Sequence, residues 1–131
     1  MLFNQEFLDT LCIQAKENPR LRVNYDLRNS GADTSQRMLN ALCPGTIVPI
    51  HRHPNSTEVM IVVRGSVLEH FYDTNGILTE SFRLKAGGDC LISIPVGQFH
   101  SLECLEEGTV IFEAKDGAYM PARLEDILEK Q

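Results

Sequence analysis

Apolar residues change their spacing twice along the chain. At the start, Phe3, Phe7, Leu11 and Ala15 recur every four residues, with Leu8 and Cys12 beside them. That period makes one apolar stripe on a helix over about Asn4–Asn18, with Asn4 as N-cap and Pro19 just past the end. Such a stripe covers a core or a sheet. From about Leu21 to Lys115 the period shortens to that of strands. VMIVV (59–63), VLEHFY (67–72), CLISI (90–94) and TVIFEA (109–114) are rich in branched and aromatic residues. Turn signals divide them: Arg64-Gly65, Asp73-Thr74-Asn75-Gly76, Ala86-Gly87-Gly88-Asp89 and Glu106-Glu107-Gly108. Asn75-Gly76 marks a hairpin, because both residue types tolerate positive φ. Many short strands at regular spacing predict a closed barrel or double-sheet jelly roll. Near the end, Leu124, Ile127 and Leu128 predict a short amphipathic helix over Ala122–Lys130, with Pro121 near its start.

Length adds that this is one domain: 131 residues suffice for a buried core without staples. The expected division is a helical segment at 1–20, a barrel at 21–117 and a helical tail at 118–131. A net charge of −6, with Lys and Arg scattered, excludes a nucleic-acid surface. No stretch approaches the roughly 18 apolar residues of a membrane span. The N-terminus lacks the basic region, apolar run and cleavage site of a signal peptide. The four cysteines, Cys12, Cys43, Cys90 and Cys104, form no CxxC pair and read as free thiols in a reducing compartment. A cytoplasmic location is the expectation.

The chemistry concentrates in two places. In "HRHPNSTE", residues 51–58, His51 and His53 stand two apart, so on a strand they aim to one face. Pro54 to Thr57 make a turn and Glu58 opens the next strand. Glu58 shares its strand face with Met60 and Val62, where a lone carboxylate is costly to bury unless a cation compensates it. A third histidine arrives in "PVGQFH", residues 95–100, at the start of another strand. If the sheet closes, His51, His53, Glu58 and His100 converge into a three-nitrogen, one-oxygen site for a divalent metal.

These residues carry a resemblance. Gly45-x5-His51-x-His53-x4-Glu58-x6-Gly65 is similar to the first cupin motif at every fixed position. Gly88-x6-Pro95-x-Gly97-x2-His100-x3-Cys104 is similar to the second, with one extra residue before Pro95 and Cys104 where the family often has Asn. More of the chain, from "PRLRVNYDLR" through "SQRMLNALCPGTIVPIHRHP" and "EVMIVVRGSV" to "PVGQFHSLECLEEGTVIFEAKDGAYMP", resembles the WbuC-type cupin-fold metalloproteins. Those are small bacterial proteins, some encoded beside O-antigen genes. The resemblance implies a mainly β fold, the double-stranded β-helix (jelly-roll barrel) of cupins, here with a helix at each end. It also implies one divalent metal ion and association into a homodimer, but no established reaction.

Other polar residues rank below the metal set. Arg64, on the Glu58 face, suits an anionic group. His70, without a partner at ligand spacing, reads as a packed or surface histidine. Cys104, four residues after His100, either lines the pocket or is a buried inert thiol. Tyr72 and Gln98, with Arg37, Asn40, Lys115 and Tyr119, are further candidates for ligand contacts, each weighed against an ordinary surface role. His70, Tyr72 and Glu113 are unranked candidates for a general base. Coordination number separates the functional readings. Four protein ligands complete a tetrahedron around Zn²⁺ but leave two positions open around octahedral Fe²⁺, Mn²⁺ or Ni²⁺. The first reading is an oxygenase or isomerase of a small oxygen-rich molecule, such as a sugar or nucleotide sugar by resemblance. The second is a non-catalytic, metal-stabilised ligand-binding or interaction module.

Overall fold

The structure, a computed structural model, describes residues 1–128. Helix α1 spans Gln5–Glu17, and the Asn4 side chain accepts a hydrogen bond from the Phe7 amide at 2.9 Å, the expected N-cap. Its stripe buries Leu8, Leu11 and Ala15.

Ten strands follow: β1 (Arg22–Asp26), β2 (Ser35–Leu42), β3 (Ile50–His51), β4 (Glu58–Arg64) and β5 (Ser66–Tyr72), then β6 (Leu78–Lys85), β7 (Leu91–Ile94), β8 (Phe99–Cys104), β9 (Thr109–Asp116) and β10 (Ile127–Leu128). They form two five-stranded antiparallel sheets, ordered β1-β2-β9-β4-β7 and β10-β3-β8-β5-β6. The four strands read from apolar runs are present as β4, β5, β7 and β9. Strand β6 carries little apolar signal, since it lies at a sheet edge with most of its residues exposed. In the β5–β6 hairpin only Gly76 takes a left-handed conformation (φ 80°), and Asn75 does not. The Asp73 carboxylate does the work there, accepting the Asn75 and Ile77 amides at 2.9 and 3.0 Å.

Two apolar clusters hold the layers together. Outside the first sheet, Leu8, Leu11 and Ala15 of the helix pack on Leu39, Ala41 and Val110. Phe3, Phe7 and Tyr25 close that cluster edge to face, with centroids 5.1–6.0 Å apart. Between the sheets, Leu42, Met60, Val62, Val67, Leu84, Cys104 and Ile111 form an apolar plug. The inward face of each strand crosses from plug to polar wall. On β4, Val62 and Met60 lead to Glu58; on β9, Ile111 leads to Glu113 and Lys115; on β5, Val67 leads to Glu69; on β8, Cys104 leads to His100. The pairings Met60↔Glu113, Glu58↔Lys115 and Glu69↔Leu102 align these transitions. One end of the barrel is therefore packed and the other is a polar cavity.

The expected C-terminal helix is instead a single 3-10 turn, Leu124–Asp126, followed by β10 on the edge of β3. Leu124 is 93% exposed, so it contributes nothing to an apolar helix face. Asp126 is drawn inward: its carboxylate meets Arg52 Nε at 2.9 Å and its carbonyl accepts the Arg52 amide at 3.0 Å. These bonds and the β3 pairing satisfy the backbone better than a short helix whose first turn would lie in solvent. Lys130, the end of the expected helix, lies outside the described residues. Among the described residues no helix is long and apolar enough to cross a membrane.

Candidate metal site

Three histidines meet at the polar end. Strands β3 and β8 place His51 opposite His100, and their ring centroids are 4.3 Å apart. His53, just past β3, lies 5.1 Å from His51 and 5.3 Å from His100 by the same measure. The Gly97 amide donates to the His53 carbonyl at 2.9 Å, which ties the turn before His100 to the loop after His51. One ring nitrogen from each histidine lies within 4.8 Å of the others. Two bonds of about 2.1 Å to a shared ion span at most about 4.2 Å, so small side-chain rotations close this set around one.

Ring orientation is set by the backbone. His51 Nδ1 is 2.8 Å from the Pro49 carbonyl and His100 Nδ1 is 2.9 Å from the Gln98 carbonyl. A carbonyl can only accept, so each Nδ1 carries the proton and each Nε2 keeps its lone pair. The Nε2 of His100 is buried without a hydrogen-bond partner, and that of His53 is buried with only a Glu58 oxygen 3.2 Å away. Buried polar atoms are seldom left so, and an ion held by these nitrogens would satisfy them. Burial, then repulsion from His100 and His53, lowers the His51 pKa to about 4. Burial lowers His100 as well. Both are neutral at pH 7, the form that binds metals.

Glu58 lies beside the three histidines but outside the set whose donor atoms fall within 4.8 Å of one another. Its Oε1 lies 3.2 Å from His53 Nε2 and 3.6 Å from Lys115 Nζ, and its Oε2 lies 3.7 Å from His100 Nε2. Burial opposes its charge, but His53, His100 and Lys115 outweigh burial and hold its carboxyl down at about 2. The group is therefore a carboxylate aimed among the three imidazoles.

The cavity beside this cluster encloses about 330 Å³ and is lined also by Asn40, Glu69, Glu113, Lys115 and Tyr119. Burial, followed by repulsion from Glu58, lifts Glu113 to about 8. Glu69 is 1% exposed, and neither carboxylate oxygen has a partner. Burial, then Glu58 and Glu113, pushes its carboxyl well above the ordinary value. The residues 117–123 run beside the mouth, where a second hollow of about 520 Å³ shares His51, His53 and Lys115 with the first.

The remaining candidates lie elsewhere. Arg64 points to the helix, donating to the Gly108 carbonyl at 2.7 Å and to Asp9 at 2.8 Å, so it fastens α1 to the barrel. His70 sits on the outward phase of β5, with Nδ1 2.7 Å from Ser81 Oγ and Nε2 3.7 Å from Glu103. Tyr72 shares that phase, 6.3 Å from His70. The Gln98 side chain donates to the Tyr72 and Phe99 carbonyls; only its own carbonyl serves the site, through His100. Cys104 is in the plug, its thiol pushed up by burial. Arg37 pairs with Asp33 at 3.2 Å. Of the three general-base candidates only Glu113 reaches the cavity, while Glu69 was not among them. The alternation in VLEHFY carried the signal: Val67, Glu69 and Phe71 share one face, and a lone carboxylate in that company is as notable as Glu58.

A search of curated proteins found no match. Solved structures establish the fold. KdgF from Halomonas sp. superposes with a TM-score of 0.61 at 15% identity, covering 76% of this chain and 82% of its own. An oxalate oxidase in complex with glycolate gives 0.62 at 20% identity over 79% of this chain, which spans only 55% of the oxidase. CapF with the inhibitor 3-isopropenyl-tropolone gives 0.59 at 25% identity, covering 75% of this chain and 28% of its own. The two sheets with their intervening cavity are the double-stranded β-helix of the cupin superfamily. A family model described as "Domain of unknown function (DUF6016)" matches residues 3–84, through α1, His51, His53 and Glu58. That span exceeds half of the 131 residues, and the chain belongs to this domain family within a cupin fold.

Proposed function

We propose that His51, His53 and His100, with Glu58 as fourth donor, hold one divalent metal ion, and that the protein uses it to act on a small oxygen-rich molecule admitted to the adjoining cavity. The observation that carries this reading is the convergence of one ring nitrogen from each of three histidines within 4.8 Å, with the Glu58 carboxylate beside two of them. When bound, the ion supplies Lewis-acid polarisation of a substrate oxygen. The chain's own groups do the rest. The Pro49 and Gln98 carbonyls orient imidazoles, Lys115 counters negative charge beside Glu58, and the apolar plug excludes water from behind the site. The oxalate decarboxylase of Bacillus subtilis, 26% identical over 65% of this chain, acts by its name on a small oxygen-rich acid, which agrees with that substrate class.

A sugar or nucleotide sugar is the finer assignment, resting on the WbuC-type resemblance, as do a bacterial origin and a homodimer. A cytoplasmic location rests on the free thiols. The second reading is a non-catalytic binding module, favoured by the four-donor set, which closes a tetrahedron if the ion is zinc. Metal content by mass spectrometry, on protein purified without chelator and with oxygen excluded, tests both. Near one iron, manganese or nickel per chain supports the catalytic reading. Near one zinc supports the module, and absence of any stoichiometric metal refutes both.

A further inference from the structure

The metal site uses Glu58 but leaves two more carboxylates in the same cavity without a role. Glu69 on β5 and Glu113 on β9 come from opposite sheets, and the Asn40 amide lies beside Glu113. Glu69 is 1% exposed with both oxygens partnerless, and Asn40 Oδ1 is likewise buried and unbonded. All three line the 330 Å³ cavity together with the histidines. Each unmade bond costs stability, so the unpaired oxygens of Glu69 and Asn40 point to hydrogen-bonding groups brought by a ligand.

The chemistry of that ligand follows from what else is there. A second metal is disfavoured: among the described residues the only donor set drawn tightly enough is the three histidines. A cationic ligand is disfavoured because Arg22 and Lys115 line the same space. Hydroxyl groups fit. They donate to carboxyl and amide oxygens, accept from a protonated carboxyl, and add no charge beside the cations. A carboxylate on the same molecule suits the cationic side and the metal.

We propose that Glu69, Glu113 and Asn40 form a hydroxyl-binding wall that takes the polyhydroxylated arm of a small carboxylate whose acid end lies toward the histidines. This deepens the proposed metal-dependent function and rests on it for the placement of the acid end. A site built around acceptors rejects an analogue lacking the hydroxyls, because its own buried oxygens then stay unpaired.

The test compares D-gluconate with hexanoate, six-carbon carboxylates with and without hydroxyls, by calorimetric titration of the protein as purified with its metal. The wild type should bind gluconate at least 10-fold more tightly. Glu69→Leu and Glu113→Leu should each abolish or reverse that preference while keeping the metal content of the wild type. Should a leucine variant not fold, Glu69→Gln serves, with weakened gluconate binding expected. Equal or absent binding of the two acids by wild type overturns the wall, and so does a preference that survives both substitutions. Metal content on the same samples separates the two ideas: a chain without metal that still prefers gluconate overturns the metal reading and leaves the wall standing.

Discussion

Replacing Glu69 by leucine should stabilise this protein. Few buried charged residues invite that expectation, but Glu69 is 1% exposed and its two oxygens have no hydrogen-bond partner. Its cross-strand neighbour is Leu102, and Val67 and Phe71 share its face. An unsatisfied buried polar group costs about 1–3 kcal/mol. Contact with the cavity keeps the cost below the top of that range, so a leucine of similar volume should contribute about 2 kcal/mol. At about 2.1 cal/mol/K per residue, unfolding 131 residues has an entropy of about 275 cal/mol/K. The melting temperature should then rise by about 7 °C. The effect has a pH signature. Burial, then Glu58 and Glu113, raises the folded carboxyl well above its ordinary 4.5. A raised carboxyl adds no ionisation cost below pH 4.5 and an increasing one as pH climbs toward its folded value. The advantage of Glu69→Leu should therefore widen from pH 5 to pH 8. Scanning calorimetry of both proteins at equal metal content measures it. A melting temperature lowered by 3 °C or more, or a gain identical at the two pH values, would refute the reasoning. A gain in stability would also mark Glu69 as a residue kept for function at the expense of the fold.

Three further outcomes are expected. His51→Ala or His100→Ala should lose stoichiometric metal while His70→Ala keeps it, as mass spectrometry reads; full occupancy in either of the first two would end the ligand assignment. Because His51 has a pKa of about 4 and His100 is shifted in the same direction, acid should release the metal with a midpoint below that of a free imidazole. A midpoint of release near 6.5, the value of a free imidazole, would contradict this. Gly65→Ala should cost about 2–4 kcal/mol, a fall of roughly 7–15 °C in melting temperature: φ is +83° there and a Cβ would stand 2.8 Å from Thr109 Cα.

Local patterns decided a good deal in this chain. The four-residue period of Phe3 to Ala15 required a helix with Asn4 as its cap, because capping and amphipathicity act within a few residues. The alternation at 58–63 and 109–114 required strands, and the spacing His51-x-His53 put two imidazoles on one side. Other placements needed the folded chain. That His100 faces His51 is a cross-strand register, set by which strands neighbour each other in the sheet. That Arg64 turns to α1 follows from the bulge in β4 after Val62, which shifts its register against β9. That Cys104 lies in the plug follows from barrel depth: residues on one strand face share a direction but sit at different heights, and His100 on the same face of β8 reaches the polar end. The C-terminal segment became a strand because Arg52 was in place to receive Asp126, a contact across 74 positions that no local pattern encodes.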